Sequence, residues 1–199
     1  LSEWKLFEGD VPVVSTREFH QHRERAAHLE QGHHSLRLYT AAGMIRAAAR
    51  LFEDDYCTFS DLGCGDGGLL SLVQESFDDA WGYDFQPSNA KGWSDRRVRG
   101  YLKDVFNYRE DVDLGTVVSC TEVLEHLADP HGVLKWLHEE DEPQVLVCSS
   151  PWNEGPGSHD ECHAWAWDVS GYAAMVSNAG WTIEKHEQVG PFQVVKAVK

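Results

Sequence analysis

Phe59-Ser60-Asp61-Leu62-Gly63-Cys64-Gly65-Asp66-Gly67 is an apolar run that stops at an acid and is then broken by glycine at every second position. The pattern predicts a strand ending in a tight turn, with Leu69, Leu70, Leu72 and Val73 supplying the apolar face of the helix that follows. Glycine has no Cβ, so such a turn lets bare backbone approach a ligand. The order strand, glycine loop, helix is how doubly wound α/β sheets hold a nucleoside. An adenosine-containing cofactor is the expected ligand.

Gly63, Gly65 and Gly68 also satisfy the Gly-x-Gly-x-x-Gly dinucleotide fingerprint. Two acids bear on the choice: Asp61 closes the strand, and Asp66 lies inside the loop, where a pyrophosphate would pass. Negative side chains there suit a ligand carrying an ammonium and a sulfonium better than one carrying phosphates. That favours S-adenosylmethionine over NAD.

A chain of 199 residues with 42% apolar composition holds one α/β domain with a substantial core. Its 17 basic and 33 acidic residues give a net charge of −16, which repels polyanions and attracts cations. Nucleic acid is therefore disfavoured as a substrate, and the basic run Asp95-Arg96-Arg97-Val98-Arg99 reads as a solvated surface. Cys57, Cys64, Cys120, Cys148 and Cys162 are odd in number and form no Cys-x-x-Cys pair, the usage expected of reduced thiols in a cytoplasmic protein. No apolar stretch approaches the length of a membrane span, and the N-terminus carries acids and histidines rather than a basic-then-apolar leader, so neither export nor insertion is expected.

Short apolar runs alternate with helical patterns, which reads as βαβ units on a parallel sheet. Strands are expected at Thr58–Leu62, Ala80–Asp84, Gly100–Lys103, Thr116–Cys120 and Gln144–Ser149, with helices at Leu69–Ser76, Pro87–Trp93, Pro130–His138 and Val169–Ala179. Trp181–Val189 and Phe192–Val198 are separated only by Gly190-Pro191, which implies an antiparallel pair. Residues 1–54 read as a helical prefix, with a polar helix over Thr16–Gln31 and an amphipathic one over Leu36–Phe52. Part of this prefix is a candidate lid over a core spanning residues 55–199.

Trp81-Gly82-Tyr83-Asp84 ends the second strand with an acid able to accept ribose hydroxyls, and Lys103-Asp104-Val105 ends the third. The fourth runs through Thr121 into Glu122-Val123-Leu124-Glu125-His126-Leu127. With these three motifs in order, the chain resembles the class I S-adenosylmethionine-dependent methyltransferases. The resemblance implies a Rossmann-like, seven-stranded, mostly parallel sheet with an antiparallel last strand and helices on both faces. It also implies that Asp84 holds the ribose, Asp104 the adenine amino group, and Gly63, Cys64 and Gly65 the methionine end, with Asp61, Phe85, Val105 and Thr121 completing the cofactor crevice.

Methyl transfer from a sulfonium is an in-line displacement, so alignment and an unprotonated acceptor atom are the main requirements. The fold implied by the resemblance puts His126 and Glu125 near the transferred methyl, with His163 facing them, and a histidine or carboxylate there suits proton removal. The expected reaction is methylation of oxygen or nitrogen of a small molecule, leaving S-adenosylhomocysteine. A metal-dependent alternative exists: Glu122, Glu125, His126 and the downstream His163 resemble the Mg²⁺ or Mn²⁺ set of the Hen-type small-RNA 2′-O-methyltransferases, and two carboxylates with imidazole suit such an ion. A non-catalytic cofactor-binding partner subunit and an NAD-dependent oxidoreductase are the other rivals.

Other features admit plainer readings. Trp181 is expected in the core. Trp165 and Trp167, placed in a loop or helix entry, read equally as an aromatic wall for a flat substrate or as ordinary packing. His20, His22, His28, His33 and His34 crowd the prefix without ligand spacing, so a solvated helix face is the default and His33-His34 the pair best placed to reach a site.

Overall fold

Thr58–Leu62 (β2) lies at the centre of the sheet and is buried along its whole length, as the apolar run requires. The structure, a computed structural model, describes residues 2–9, 11–106 and 112–199. Glu3–Lys5 forms a short first strand (β1). The other strands are Asp79–Asp84 (β3), Gly100–Leu102 (β4), Val117–Thr121 (β5), Val145–Pro151 (β6), Trp165–Trp167 (β7), Thr182–Val189 (β8) and Phe192–Val198 (β9). Seven of them form one sheet in the order β4-β3-β2-β5-β6-β9-β8. β2 to β6 pair in parallel, while β9 runs antiparallel to both β6 and β8. The last strand is thus the reversed one, inserted between β6 and the edge strand β8.

Side chains alternate faces along each strand. Leu62, Val118, Leu146 and Val195 point to one core with Leu134, Leu137, Tyr172 and Val176. Those four come from helices α5 (Pro130–Glu139) and α6 (Val169–Asn178). Phe59, Val117, Val147 and Val194 face a second core with Ala41, Ile45, Leu69 and Leu70. These belong to α2 (Gly32–Ala49) and α3 (Gly68–Val73). The expected helices on both faces are present, and Trp181 is buried, its Nε1 donating to Leu134 O at 3.0 Å.

The prefix departs from expectation. Thr16–Gln31 does not form one helix: α1 spans only Arg17–His20, and a 3₁₀ turn covers His28–Glu30. With only a few apolar positions, this stretch has no stripe whose burial would stabilise a longer helix. Trp165 and Trp167 lie in β7, which pairs antiparallel with β1, rather than in a loop or helix entry. Trp167 is fully buried and donates through Nε1 to Glu3 Oε2 at 2.6 Å, so packing is the correct reading of this pair. Among the described residues no helix is long and apolar enough to cross a membrane.

Candidate active site

β2, β3 and β5 end side by side in parallel, so their carboxyl-terminal loops converge on one crevice. Gly63, Gly65 and Gly67 adopt φ of 75°, 54° and 81°, a left-handed conformation that glycine enters without steric cost. Nothing lies within 4 Å of where a Cβ on Gly65 would sit, so the loop presents open backbone. Asp84, at the end of β3, binds across to this loop. Its Oδ2 accepts Gly65 N–H at 2.9 Å, and its Oδ1 accepts Gln86 N–H at 2.7 Å and Asn89 Nδ2–H at 3.1 Å. Burial raises the Asp84 pKa, against the opposing pull of these donors.

The reason for reading Asp66 as a charge selecting the cofactor does not survive. Asp66 is 3% exposed, and its Oδ2 accepts from Arg25 Nε at 3.0 Å and pairs with an Arg96 guanidinium nitrogen at 2.8 Å. Two cations neutralise the loop acid, and one of them belongs to the prefix. Arg96 lies in α4 (Ala90–Arg96), so the basic run there is not wholly a solvated surface. The remaining acids lie deeper in the crevice.

Those acids are Asp61, Glu122 and Glu125. Asp61 is 1% exposed, accepts from Ser119 Oγ at 2.6 Å, and is pushed by burial up to about 7. Glu122 follows β5 in a left-handed conformation (φ 55°), a strained position for a residue with a side chain. Its backbone N–H donates to Ser149 O at 3.1 Å and its Oε1 accepts from Ser149 Oγ at 2.8 Å. Glu125 is 1% exposed with neither carboxylate oxygen hydrogen-bonded; burial and then the neighbouring Glu122 raise its pKa well above the usual carboxylate range.

His126 and His163 meet edge to face with ring centroids 4.8 Å apart. His126 Nδ1 lies 3.1 Å from Cys162 O, and because a carbonyl only accepts, the proton sits on Nδ1 and Nε2 carries a lone pair. Burial and then the charge of His163 lower its pKa to about 3, so it is neutral. Burial alone would lower His163 as well, yet contacts to Cys162, to Glu154 at 2.5 Å and to the Glu125 charge raise it to about 11. At neutral pH His163 is an imidazolium.

One cavity of about 550 Å³ joins these parts. Asp61, Gly63, Cys64, Gly65, Asp84, Phe85, Val105, Thr121, Glu122, Glu125, His126 and His163 all line it. Asp104 is buried between two lining residues, Lys103 and Val105, but is not itself on the cavity wall. The prefix histidines are only in part a solvated face: His22 and His33 are exposed, His33 at the cavity rim, whereas His20, His28 and His34 are half-buried against the cavity, with His28 stacked on His34 at 4.4 Å and His34 beside Phe192 at 5.1 Å. Burial and then cationic neighbours lower His28 to about 4 and His34 to about 3. Arg37, buried in the same wall, is a candidate that composition alone passes over. The signal for it was a lone charge in the stripe Arg37, Ala41, Met44, Ile45, Ala48.

A glycine crevice at the carboxyl ends of a sheet with this strand order, with an acid closing the neighbouring strand, is the fold of class I S-adenosylmethionine-dependent methyltransferases. A family model described as a methyltransferase domain matches residues 25–182, and the chain belongs to that family. No match is found among curated proteins. Similar solved structures include the N-methyltransferase NodS from Bradyrhizobium japonicum WM9 with S-adenosyl-L-homocysteine, at TM-score 0.68 and 10% identity over 92% of this chain and 96% of that one. Magnesium protoporphyrin IX methyltransferase from Synechocystis PCC 6803 with bound S-adenosylmethionine aligns at TM-score 0.63 and 12% identity over 90% and 88%. The small RNA methyltransferase HEN1 aligns at TM-score 0.65 and 21% identity, over 89% of this chain but only 26% of that one. At these identities the likeness is one of fold.

Proposed function

We propose that the protein transfers a methyl group from S-adenosylmethionine to oxygen or nitrogen of a small molecule. The observation that carries this is the continuity of one cavity from the open glycine loop and Asp84 to Glu125, His126 and His163. Its volume suits a cofactor with a small acceptor. In this reading Asp84 takes the ribose, Phe85 and Val105 frame the adenine, with Asp104 behind the wall rather than on it, and Gly63, Cys64, Gly65, Asp61 and Thr121 hold the methionine end. His126 Nε2, unprotonated, accepts a hydrogen bond from the acceptor's O–H or N–H and orients it toward the methyl, and the His163–Glu154 pair fixes the facing wall. Residues 1–54 serve as a cover: Arg25 fastens to Asp66, and His20 Nδ1 lies 2.8 Å from Gln86 Oε1 at the crevice. Radiolabelled methyl transfer to a panel of phenols and amines tests it. Turnover insensitive to chelator and about 10- to 100-fold slower in His126→Ala, from loss of one orienting hydrogen bond, is the expected result; cofactor binding with no turnover on any acceptor would favour a partner subunit.

A second reading rests on Glu125 and the two imidazoles. Metal-bound histidines usually give their second ring nitrogen to a carbonyl or carboxylate. Here His126 Nδ1 meets Cys162 O and His163 Nδ1 meets Glu154, beside a buried carboxylate without partners. Glu122, Glu125, His126 and His163 would then hold a divalent cation able to bind two vicinal hydroxyls of an RNA 3′ end. This reading requires turnover to vanish with chelator, to return with Mn²⁺ or Mg²⁺, and to be lost in Glu122→Ala.

A further inference from the structure

Four carboxylates line the cavity around His126 and His163: Glu122, Glu125, Glu154 and Asp160. Three of them are engaged. Glu154 Oε2 meets His163 Nδ1 at 2.5 Å, Asp160 Oδ1 accepts Cys162 N–H at 3.0 Å, and Glu122 Oε1 accepts from Ser149 Oγ at 2.8 Å with Arg37 at 4.0 Å. Glu125 differs: it is 1% exposed, and neither oxygen has a hydrogen-bond partner among the described residues. Its backbone is held, the carbonyl accepting Ala164 N–H at 2.7 Å. A buried carboxylate without donors is costly, so a molecule that enters the cavity has reason to bring them. His126 supplies a second acceptor next in sequence, because its Nδ1–H is directed to Cys162 O and its lone pair is on Nε2. Two adjacent acceptors on one wall match a group with two donors. A primary amine has two N–H and a lone pair besides; a hydroxyl has one O–H.

We propose that the methyl acceptor is a primary amine, taken as the free base with one N–H on Glu125 and the other on His126 Nε2. This rests on the methyltransferase reading above and narrows it from oxygen or nitrogen to nitrogen. In the transfer the nitrogen lone pair forms the N–C bond while the C–S bond breaks and its electron pair returns to sulfur. Both N–H protons stay in place, and the positive charge passes from sulfonium to ammonium. Carboxylates around that nitrogen stabilise the charge as it develops, whereas a hydroxyl would have to shed its proton to reach a neutral ether. The net charge of −16 also draws amines towards the protein.

The test uses the full chain with radiolabelled S-adenosylmethionine and two matched series: benzylamine, N-methylbenzylamine and benzyl alcohol, and aniline, N-methylaniline and phenol. Label should pass to the primary amines, about tenfold more slowly to their N-methyl counterparts, which bring one N–H, and not to the hydroxyl compounds. Glu125→Gln should lower kcat/KM for the amine about 10- to 100-fold and leave S-adenosylhomocysteine affinity within about twofold, which also shows that the variant is folded; Glu125→Asp should fall between. Preference for a hydroxyl compound, equal rates for primary and N-methyl amines, or no transfer to any amine by a protein that binds S-adenosylhomocysteine overturns the proposal. Turnover abolished by EDTA and restored by Mn²⁺ overturns it too, assigning Glu125 to a metal. A wild type that does not bind S-adenosylhomocysteine overturns the methyltransferase reading itself.

Discussion

Replacing Asp66 with alanine removes the acid that joins the glycine loop, α4 and the prefix. Its carboxylate is 3% exposed and meets Arg25 and Arg96, whose side chains are 22% and 14% exposed; it also accepts Gly68 N–H at 3.2 Å. Breaking a buried ion pair from one side typically costs about 3–5 kcal/mol, because the partner's charge stays buried. Here Arg25 keeps Asp95 at 2.8 Å and Arg96 keeps Glu30 at 3.6 Å, so the lower end, roughly 3 kcal/mol, applies. For a chain of this size that is a fall in Tm of about 6–12 °C. Scanning calorimetry reads it, and trypsin cleavage after Arg23 or Arg25 should quicken as the prefix loosens. Asp95→Ala is the control: that carboxylate is half exposed, and its loss should cost under about 1 kcal/mol. A Tm for Asp66→Ala within about 2 °C of wild type, or equal to that of Asp95→Ala, would refute the claim that this cluster holds the cover.

Other consequences follow from the same contacts. A Cβ at Gly82 would lie 2.6 Å from Cys64 Cβ, so Gly82→Ala should destabilise by about 1–3 kcal/mol in urea titration and Cys64→Gly should relieve it; equal stability of Gly82→Ala and wild type would contradict the packing. Asp61 has its folded pKa raised to about 7, so the native state holds a proton that the unfolded chain releases, and stability falls as pH rises from about 4 towards 7. Asp61→Asn, which can still accept from Ser119, should therefore gain stability relative to wild type across that window and hold the gain above it. His28 and His34 act oppositely: their lowered pKa values mean the unfolded chain takes up protons first, so stability is lost as pH falls below 6.5 towards 4. His34→Phe should flatten that acid limb in chemical denaturation at stepped pH, and an unaltered limb would count against a buried neutral imidazole.

The middle of the sheet was legible because strands such as Thr58–Leu62, Val117–Thr121 and Val145–Pro151 are buried along their whole length and read as short, largely apolar runs, while the edge strands Gly100–Leu102 and Thr182–Val189 are largely exposed. Thr58–Leu62 and Phe192–Val198 match the expected bounds to the residue. The convergence of Asp84 on the glycine loop was legible for the same reason, since position on a parallel strand fixes where its last side chain emerges. What was hidden depended on contacts between distant segments. Nothing local marks Trp165–Trp167 as a strand, because its partner is Glu3–Lys5 at the far end of the chain. The charge of Asp66 misled because its two arginine partners lie 41 and 30 residues away. His28 and His34 look solvated in a polar stretch and become cavity wall only when α2 packs on the sheet. Cys64, read for its place in the loop, has its side chain against Gly82, where the absence of a Cβ makes room for it.

The central claim is that the crevice between the glycine loop and Asp84 binds the nucleoside of S-adenosylmethionine. Oδ1 of Asp84 already accepts two donors and Oδ2 one, leaving an acceptor position on Oδ2 for a ribose hydroxyl. Calorimetric titration of S-adenosylhomocysteine into wild type and Asp84→Ala measures this directly. The account predicts single-site binding to wild type and affinity at least about tenfold weaker in the variant, the loss of one hydrogen bond to a charged group together with the loop it braces. Absence of binding to wild type, or equal affinity in both proteins, would contradict it.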